Sequence, residues 1–193
     1  LQPLIEELKK LPGVGEKSAQ RMAFSLLGKD KKSVETFAKT MVTTRNAIKY
    51  CSECYNISLN NICHICENPQ RDNSLLCIVS SPKDVFAIEK TQEYNGLYHI
   101  LGGLLSPLDG IHPESLRIKE LITKIKEKNF NELLFAINPT VEGDTTIMYL
   151  NSLLTPFNIT ITKLAYGLPM GSDIDYADEI TLTKAISARR KID

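Results

Sequence analysis

The sequence predicts an α/β fold carrying small modules: an N-terminal helical hairpin, a zinc knuckle, and a mainly parallel sheet flanked by helices. Three observations predict it. Four of the five cysteines fall between Cys51 and Cys66, in two Cys-x-x-Cys pairs. Beyond residue 74, four short apolar runs alternate with helical patterns, which implies parallel strands joined by right-handed crossovers. Finally, the net charge of zero hides an asymmetry: residues 1–50 hold ten Lys/Arg against five Asp/Glu, and residues 51–193 hold thirteen against eighteen. Only the N-terminal stretch looks like a partner for polyanions. At 193 residues the chain is long enough to bury a real core, and no apolar run approaches the ~20 residues needed to span a bilayer.

In residues 1–50, Pro3 opens a first helix, and Leu4, Ile5, Leu8 and Leu11 recur at helical spacing until Pro12-Gly13 stops it. A second helix is expected from Glu16, with Ala19, Met22, Ala23 and Leu26 as its apolar stripe and Gly28 as its end. A third is expected from Ser33, read as its N-cap, to Tyr50, with a stripe of Val34, Phe37, Ala38, Met41 and Val42. Between the first two lies Leu11-Pro12-Gly13-Val14-Gly15, the pattern of a helix-hairpin-helix. Gly13 and Gly15 lack a Cβ, so backbone N–H groups there can approach an anion closely. The next helix adds unpaired N–H groups and a partial positive charge. Lys17 and Arg21, four residues apart, project from the same face. Such a site contacts phosphates and not bases, so binding is expected to be sequence-independent and salt-dependent. One hairpin contacts few phosphates, so useful affinity calls for several copies. The alternative is a plain αα-hairpin with solvated Lys and Arg.

Residues 51–67 hold Cys51, Cys54, Cys63 and Cys66. Two residues between paired thiols let one tight turn present both sulfurs to a tetrahedral Zn²⁺, and four thiolates close the shell of a structural ion. Competing readings are two disulfides or a redox pair. No signal peptide is legible, so an intracellular compartment is expected, where disulfides are rare. His64 inside the second pair is an alternative ligand, and Cys77, alone in an apolar run, reads as core.

Residues 74–166 form the α/β region. Strands are expected at 75–79, 97–101, 132–137 and 159–165. Helices follow Pro82, run from Ser115 to about Lys128, and run from Asp144 to about Leu154. Ligands of such sheets sit beyond the strands' carboxyl ends, here Ser80-Ser81, Gly102-Gly103, the run from Asn138 to Asp144, and Tyr166-Gly167. Residues 167–193 read as a loop, an acidic stretch from Asp173 to Glu179, and a helix from Leu182 to about Arg190, with Arg189, Arg190 and Lys191 at its end. No Gly-x-x-x-x-Gly-Lys-Ser/Thr phosphate loop is present, which argues against ATP hydrolysis by this chain.

Taken together, the run from Leu11 to Arg21, the cysteine cluster, Glu93-Tyr94-Asn95-Gly96-Leu97-Tyr98-His99, Leu105-Ser106-Pro107-Leu108-Asp109-Gly110 and Asn138-Pro139-Thr140-Val141-Glu142-Gly143 resemble the RecR family of bacterial recombination mediators. The resemblance covers nearly the whole chain. It implies a Toprim fold for residues 74–166 and one structural zinc ion. It also implies a ring-like homotetramer that encloses single- or double-stranded DNA, with Lys17 and Arg21 on the DNA-facing surface. Action with RecO and RecF in gap repair, a cytoplasmic, nucleoid-associated location, and subunit contacts by the C-terminal segment are further implications.

Enzymes with Toprim domains resemble one another in a Glu after the first strand and Asp-x-Asp-x-Glu after the third, which hold Mg²⁺. Here Ser80 stands at the first position and Asn138 and Thr140 replace the two Asp; Glu142 and Asp144 remain. Mg²⁺ sites usually include carboxylates in octahedral geometry, so a non-enzymatic DNA-binding protein is expected. The alternatives are a Mg²⁺-dependent nuclease or topoisomerase-like enzyme, and a zinc adaptor that binds only proteins. Glu142 is expected to dock a basic partner, RecO by resemblance. Asp144 is expected to begin a helix, where a carboxylate suits the dipole.

Overall fold

The computed structural model describes residues 1–165, 167, 168 and 171–189, and the chain divides into two compact units, Leu1–Ile48 and a second beginning at Lys49. In the first unit, α1 (Gln2–Lys9) and α2 (Glu16–Leu27) pack as a hairpin around Ile5, Ala19 and Ala23, with Leu8 and Val14 against them. The two alanines are fully buried, and their small size lets the helix axes approach. Met22, expected in the stripe, remains 39% exposed. The third helix, α3 (Lys31–Ala47), starts earlier than the sequence suggests. Asp30, not Ser33, is its N-cap: Asp30 accepts hydrogen bonds from the Ser33 amide (2.9 Å) and hydroxyl (2.5 Å). A carboxylate can accept both bonds at once and also suits the helix dipole, so it wins the cap from a serine three residues on. The predicted stripe of α3 is not a core: Phe37, Met41 and Val42 are exposed, and no residue of the helix is buried.

The second unit opens with a two-stranded antiparallel ribbon, β1 (Lys49–Tyr50) and β2 (Ile57–Ser58), followed by the short helix α4 (His64–Glu67). The α/β part follows as β3 (Asp72–Val79), α5 (Pro82–Glu89), β4 (Gly96–Ile100), α6 (Ile118–Glu127), β5 (Glu132–Ala136), α7 (Val141–Leu154) and β6 (Thr160–Lys163). The strands form one parallel sheet in the order β4-β3-β5-β6. Alternate residues of β3 feed two cores. Leu76 and Ile78 join Leu133 and Phe135 of β5, Leu121 and Ile125 of α6, and Leu150 and Leu154 of α7. Cys77 and Val79 join Val85 of α5, Tyr98 and Ile100 of β4, and the cysteines of the knuckle. Because β3 is covered on both faces, its run reads as continuously apolar and not alternating.

Several boundaries shift for local reasons. At α5, Ser81 and Asp84 cap one another in a capping box. A 3₁₀ turn at Pro113–Ser115 precedes α6, which therefore begins at Ile118 and not Ser115. Thr140 caps α7 by accepting from the Gly143 amide at 3.1 Å. The helix thus begins at Val141, and Asp144 sits in its first turn without starting it. Gly143 is required there, since a Cβ would lie 2.0 Å from the Asn138 carbonyl oxygen. The last helix, α8, spans Glu179–Ser187, earlier than expected, because Asp178 accepts from the Thr181 amide (2.8 Å) and hydroxyl (2.7 Å). Tyr166, Arg190 and Lys191 lie outside the described residues. No helix among the described residues is long and apolar enough to cross a membrane.

Candidate nucleic-acid interface and metal centre

The turn between α1 and α2 is built from backbone. Gly13 adopts φ +78°, a left-handed conformation that disfavours other residues, and open space surrounds both it and Gly15. Gly15 is the N-cap of α2 and has no side chain to satisfy the first-turn amides of that helix, which lack intrahelical acceptors. Lys17 and Arg21 are exposed one turn apart beside them. The ion pairs of this unit use Lys9, Lys10 and Lys31, leaving Lys17 and Arg21 without one among the described residues. Glu16 places a carboxylate at the same helix end, where it would repel an anion. It is pinned instead to Lys9 of α1 at 2.7 Å and accepts from Gln20 at 3.1 Å. The Lys9 hydrogen bond holds the Glu16 carboxyl below the usual carboxylate range. This pair also ties the two helices together, a role that the sequence did not disclose.

In the second unit, the ligand atoms of Cys51, Cys54, Cys63 and Cys66 all lie within 4.8 Å of one another. Around a tetrahedral zinc with bonds of about 2.3 Å, sulfurs stand roughly 3.8 Å apart, and Cys54 and Cys63 are 3.6 Å apart. The residues therefore fit a tetrahedral ion. All five cysteines are free thiols, which leaves the disulfide reading without support. His64, the alternative ligand, is exposed at the start of α4. Hydrogen bonds from Cys54 and Cys66 pull the Cys63 thiol far below its ordinary value, whereas the contact with Cys63 pushes Cys54 up to about 12, and contacts with Cys54 and Cys63 raise Cys66. Metal binding needs deprotonated thiols, so a bound cation would favour ionisation of the cluster. The Cys63 amide also donates to Cys51 Sγ at 3.3 Å. Tyr55 turns the chain after Cys54 at φ +66°, and the Cys51 amide donates to the Asn56 carbonyl at 2.7 Å.

The knuckle is seated on the α/β domain by polar contacts that sequence spacing cannot reveal. The Ile100 amide of β4 donates to the Cys54 carbonyl at 3.0 Å. From α6, Lys124 Nζ donates to the Glu53 carbonyl, inside the first Cys-x-x-Cys turn, and Lys128 pairs with the Glu53 carboxylate at 2.8 Å. The Arg117 guanidinium lies 5.2 Å from the Tyr50 ring centre and 4.8 Å from that of Tyr55. His99 of β4, fully buried, donates from Nε2 to the Arg117 carbonyl at 2.8 Å, and its Nδ1 has no partner among the described residues. Burial, aided by the Lys124 charge, lowers the His99 pKa to about 3, so the ring is neutral at physiological pH.

At the carboxyl ends of the strands the picture differs. Ser80, after β3, donates to Asp84 at 2.6 Å, and the Ser81 amide donates to the same carboxylate oxygen at 2.8 Å, so capping α5 occupies that acid. Asn138 helps to line a cavity of about 450 Å³ together with Asp84, Ile180 and Lys184. Glu142 is exposed in the first turn of α7, and Asp144 faces Lys184 of α8 at 3.8 Å. Among the described residues, the four cysteines form the one group of three or more His, Cys, Asp or Glu side chains close enough to share an ion.

Comparison with known proteins covers the whole chain. Residues 1–45 match the family profile described as "RecR, helix-hairpin-helix", residues 74–165 that of the Toprim domain, and residues 167–190 that described as "RecR, C-terminal". Among similar curated proteins is a "Recombination protein RecR" of Gloeothece citriformis, 47% identical over 190 residues, with 98% of this chain and 95% of the relative covered. The protein of that name from Acidothermus cellulolyticus is 47% identical over 193 residues, covering 100% of this chain and 97% of the relative. That of Synechococcus elongatus is 46% identical over 189 residues, covering 98% and 94%.

Proposed function

The chain belongs to the RecR family of recombination proteins, and from that premise we propose that it is a non-enzymatic DNA-binding protein of recombinational repair, gripping the sugar-phosphate backbone of single- or double-stranded DNA without regard to sequence. The observation that carries this is the turn at Gly13 and Gly15, with its uncapped helix amides and the exposed Lys17 and Arg21, which have no ion-pair partner among the described residues. The bases play no part in such a grip.

One Zn²⁺ held by Cys51, Cys54, Cys63 and Cys66 supplies structure and no chemistry, since four thiolates leave no open position. A ring-like homotetramer supplies the valency that a single hairpin lacks. The exposed apolar residues Phe37, Met41 and Val42 of α3, and Ile174, Tyr176, Ile180 and Ile186 of the C-terminal segment, favour contacts between copies. The absence of catalysis is supported by Ser80, Asn138 and Thr140 at positions where Toprim enzymes carry acids, and by the capping role of Asp84. Glu142, exposed on α7, suits docking of a basic partner, RecO by family membership; Asp144, beside Lys184, suits the contact between α7 and α8. RecF is the further expected partner, and the bacterial cytoplasm, at the nucleoid, the expected location.

The test is a salt titration of DNA binding with wild type and with Lys17→Ala/Arg21→Ala. The double variant should weaken binding to every sequence alike and reduce the slope of log affinity against log salt by about 2 for each hairpin engaged on the DNA. A loss that depends on sequence would count against backbone binding. A wild type that ignores DNA at low salt would leave an adaptor that binds only proteins, and a Mg²⁺-dependent cleavage product would restore the enzyme.

A further inference from the structure

Lys124 stands far from the cysteines in sequence, on α6, and nothing in the spacing of the four thiols points to it. Its ammonium donates to the carbonyl of Glu53, which lies between Cys51 and Cys54. Its side chain reaches there through a cleft shared with Lys119, Glu120, Glu127 and Lys128. The carboxylate of Glu53 itself is already paired with Lys128 at 2.8 Å. Lys124 therefore brings a half-buried positive charge to the knuckle and has no carboxylate at ion-pair distance among the described residues.

A zinc ion with four thiolates carries a net charge of −2. In a buried cluster, where Cys51, Cys54 and Cys63 are each at most 1% exposed, that excess is poorly screened by water. We propose that Lys124 is a positioning residue of the metal centre, whose ammonium offsets the charge of the tetrathiolate and thereby sets its affinity for zinc. This rests on the assignment of zinc to the four cysteines. Partners one step beyond the ligands tune metal sites in this way.

The experiment measures zinc affinity by competition with a chromophoric chelator for wild type, Lys124→Met, Lys124→Gln, Lys124→Arg and Lys128→Met, together with the thiolate-to-metal charge-transfer band of the cobalt-substituted proteins. Lys124→Met and Lys124→Gln should weaken zinc binding by about 10–100-fold and shift the cobalt band, whereas Lys124→Arg and Lys128→Met should stay within about threefold of wild type. Lys124→Gln keeps a donor for the Glu53 carbonyl without the charge, so wild-type affinity in that variant would overturn the proposal in favour of a hydrogen bond alone. Arginine as weak as methionine would also overturn it, as would all variants binding alike. If Lys124→Met fails to fold, the glutamine–arginine pair decides. A wild type that takes up no zinc would sink the zinc assignment itself, whereas variants that match a zinc-loaded wild type would sink only the role of Lys124.

Discussion

The two units of the chain use apolar residues in opposite ways. In the second, β3 sends Leu76 and Ile78 to one core and Cys77 and Val79 to another, and Phe135 is 1% exposed. In the first, the core is Ile5, Ala19 and Ala23, while Phe37 of α3 is 50% exposed and Met41 and Val42 lie open beside it. An apolar pattern therefore means burial within the chain in one unit and, among the described residues, an exposed surface in the other. Periodicity reports which face of a helix is apolar; it does not report what covers that face.

The comparison can be broken most forcefully at the four-cysteine cluster. Cys54→Ser, or complete chelation, should destabilise the second unit by about 3–5 kcal/mol, on the order of 10 °C in melting temperature, and leave the helicity of the first unit intact. Calorimetry with far-ultraviolet circular dichroism would show it, and unchanged melting after full metal removal would contradict a structural ion.

Next in size is a matched pair of truncations. Phe135→Ala should cost about 3–5 kcal/mol through its cavity. Phe37→Ala should change the stability of the monomer by no more than about 0.5 kcal/mol while lowering the mass of any assembly seen by light scattering. Equal costs at the two positions would erase the contrast between the units.

A third effect belongs to the second unit alone. His99 is neutral when folded, with a pKa near 3, and titrates near 6.5 when unfolded. Below the unfolded value only the unfolded chain takes up this proton, so stability is complete above about pH 6.5 and falls as pH drops toward 3. The slope approaches about 1.4 kcal/mol per pH unit, or roughly 2 kcal/mol lost between pH 7 and 5. Urea titrations at several pH values should show this slope in wild type and a flatter one in His99→Leu. The smallest effect lies in the first unit, where Asp30→Ala should cost α3 about 1 kcal/mol and Ser33→Ala clearly less.

Much of the fold could be read from residues because local and global signals agree. The apolar run of β3 is buried as it predicts, Pro82 opens α5, and α6 buries Ile118, Leu121 and Ile125 within the helix expected there. Boundaries went wrong where two residues compete for a cap, as Asp30 and Ser33 do, or where a threonine outside the expected helix claims it, as Thr140 does. β3 starts three residues earlier than its apolar run because the Asp72 amide donates to the Asn95 carbonyl at 2.8 Å, a pairing made by backbone and invisible to hydropathy. The grouping of the four cysteines was legible from spacing, and the turn at Gly13 and Gly15 with Lys17 and Arg21 exposed beside it from its pattern. Lys124, Arg117 and His99 were not, because they meet the knuckle only after the chain has passed through β4 and into α6.

One bond from β4 carries a consequence for handling the protein. The strand order leaves β4 at the margin of the sheet, and the Ile100 amide there is taken by the Cys54 carbonyl. Without the ion proposed for it, the knuckle would let go of that amide and bare a ready template for another chain to pair with. Turbidity on chelation, before any measurable unfolding, would then be the first sign of metal loss, and a stock kept clear by added zinc would owe its clarity to a covered edge.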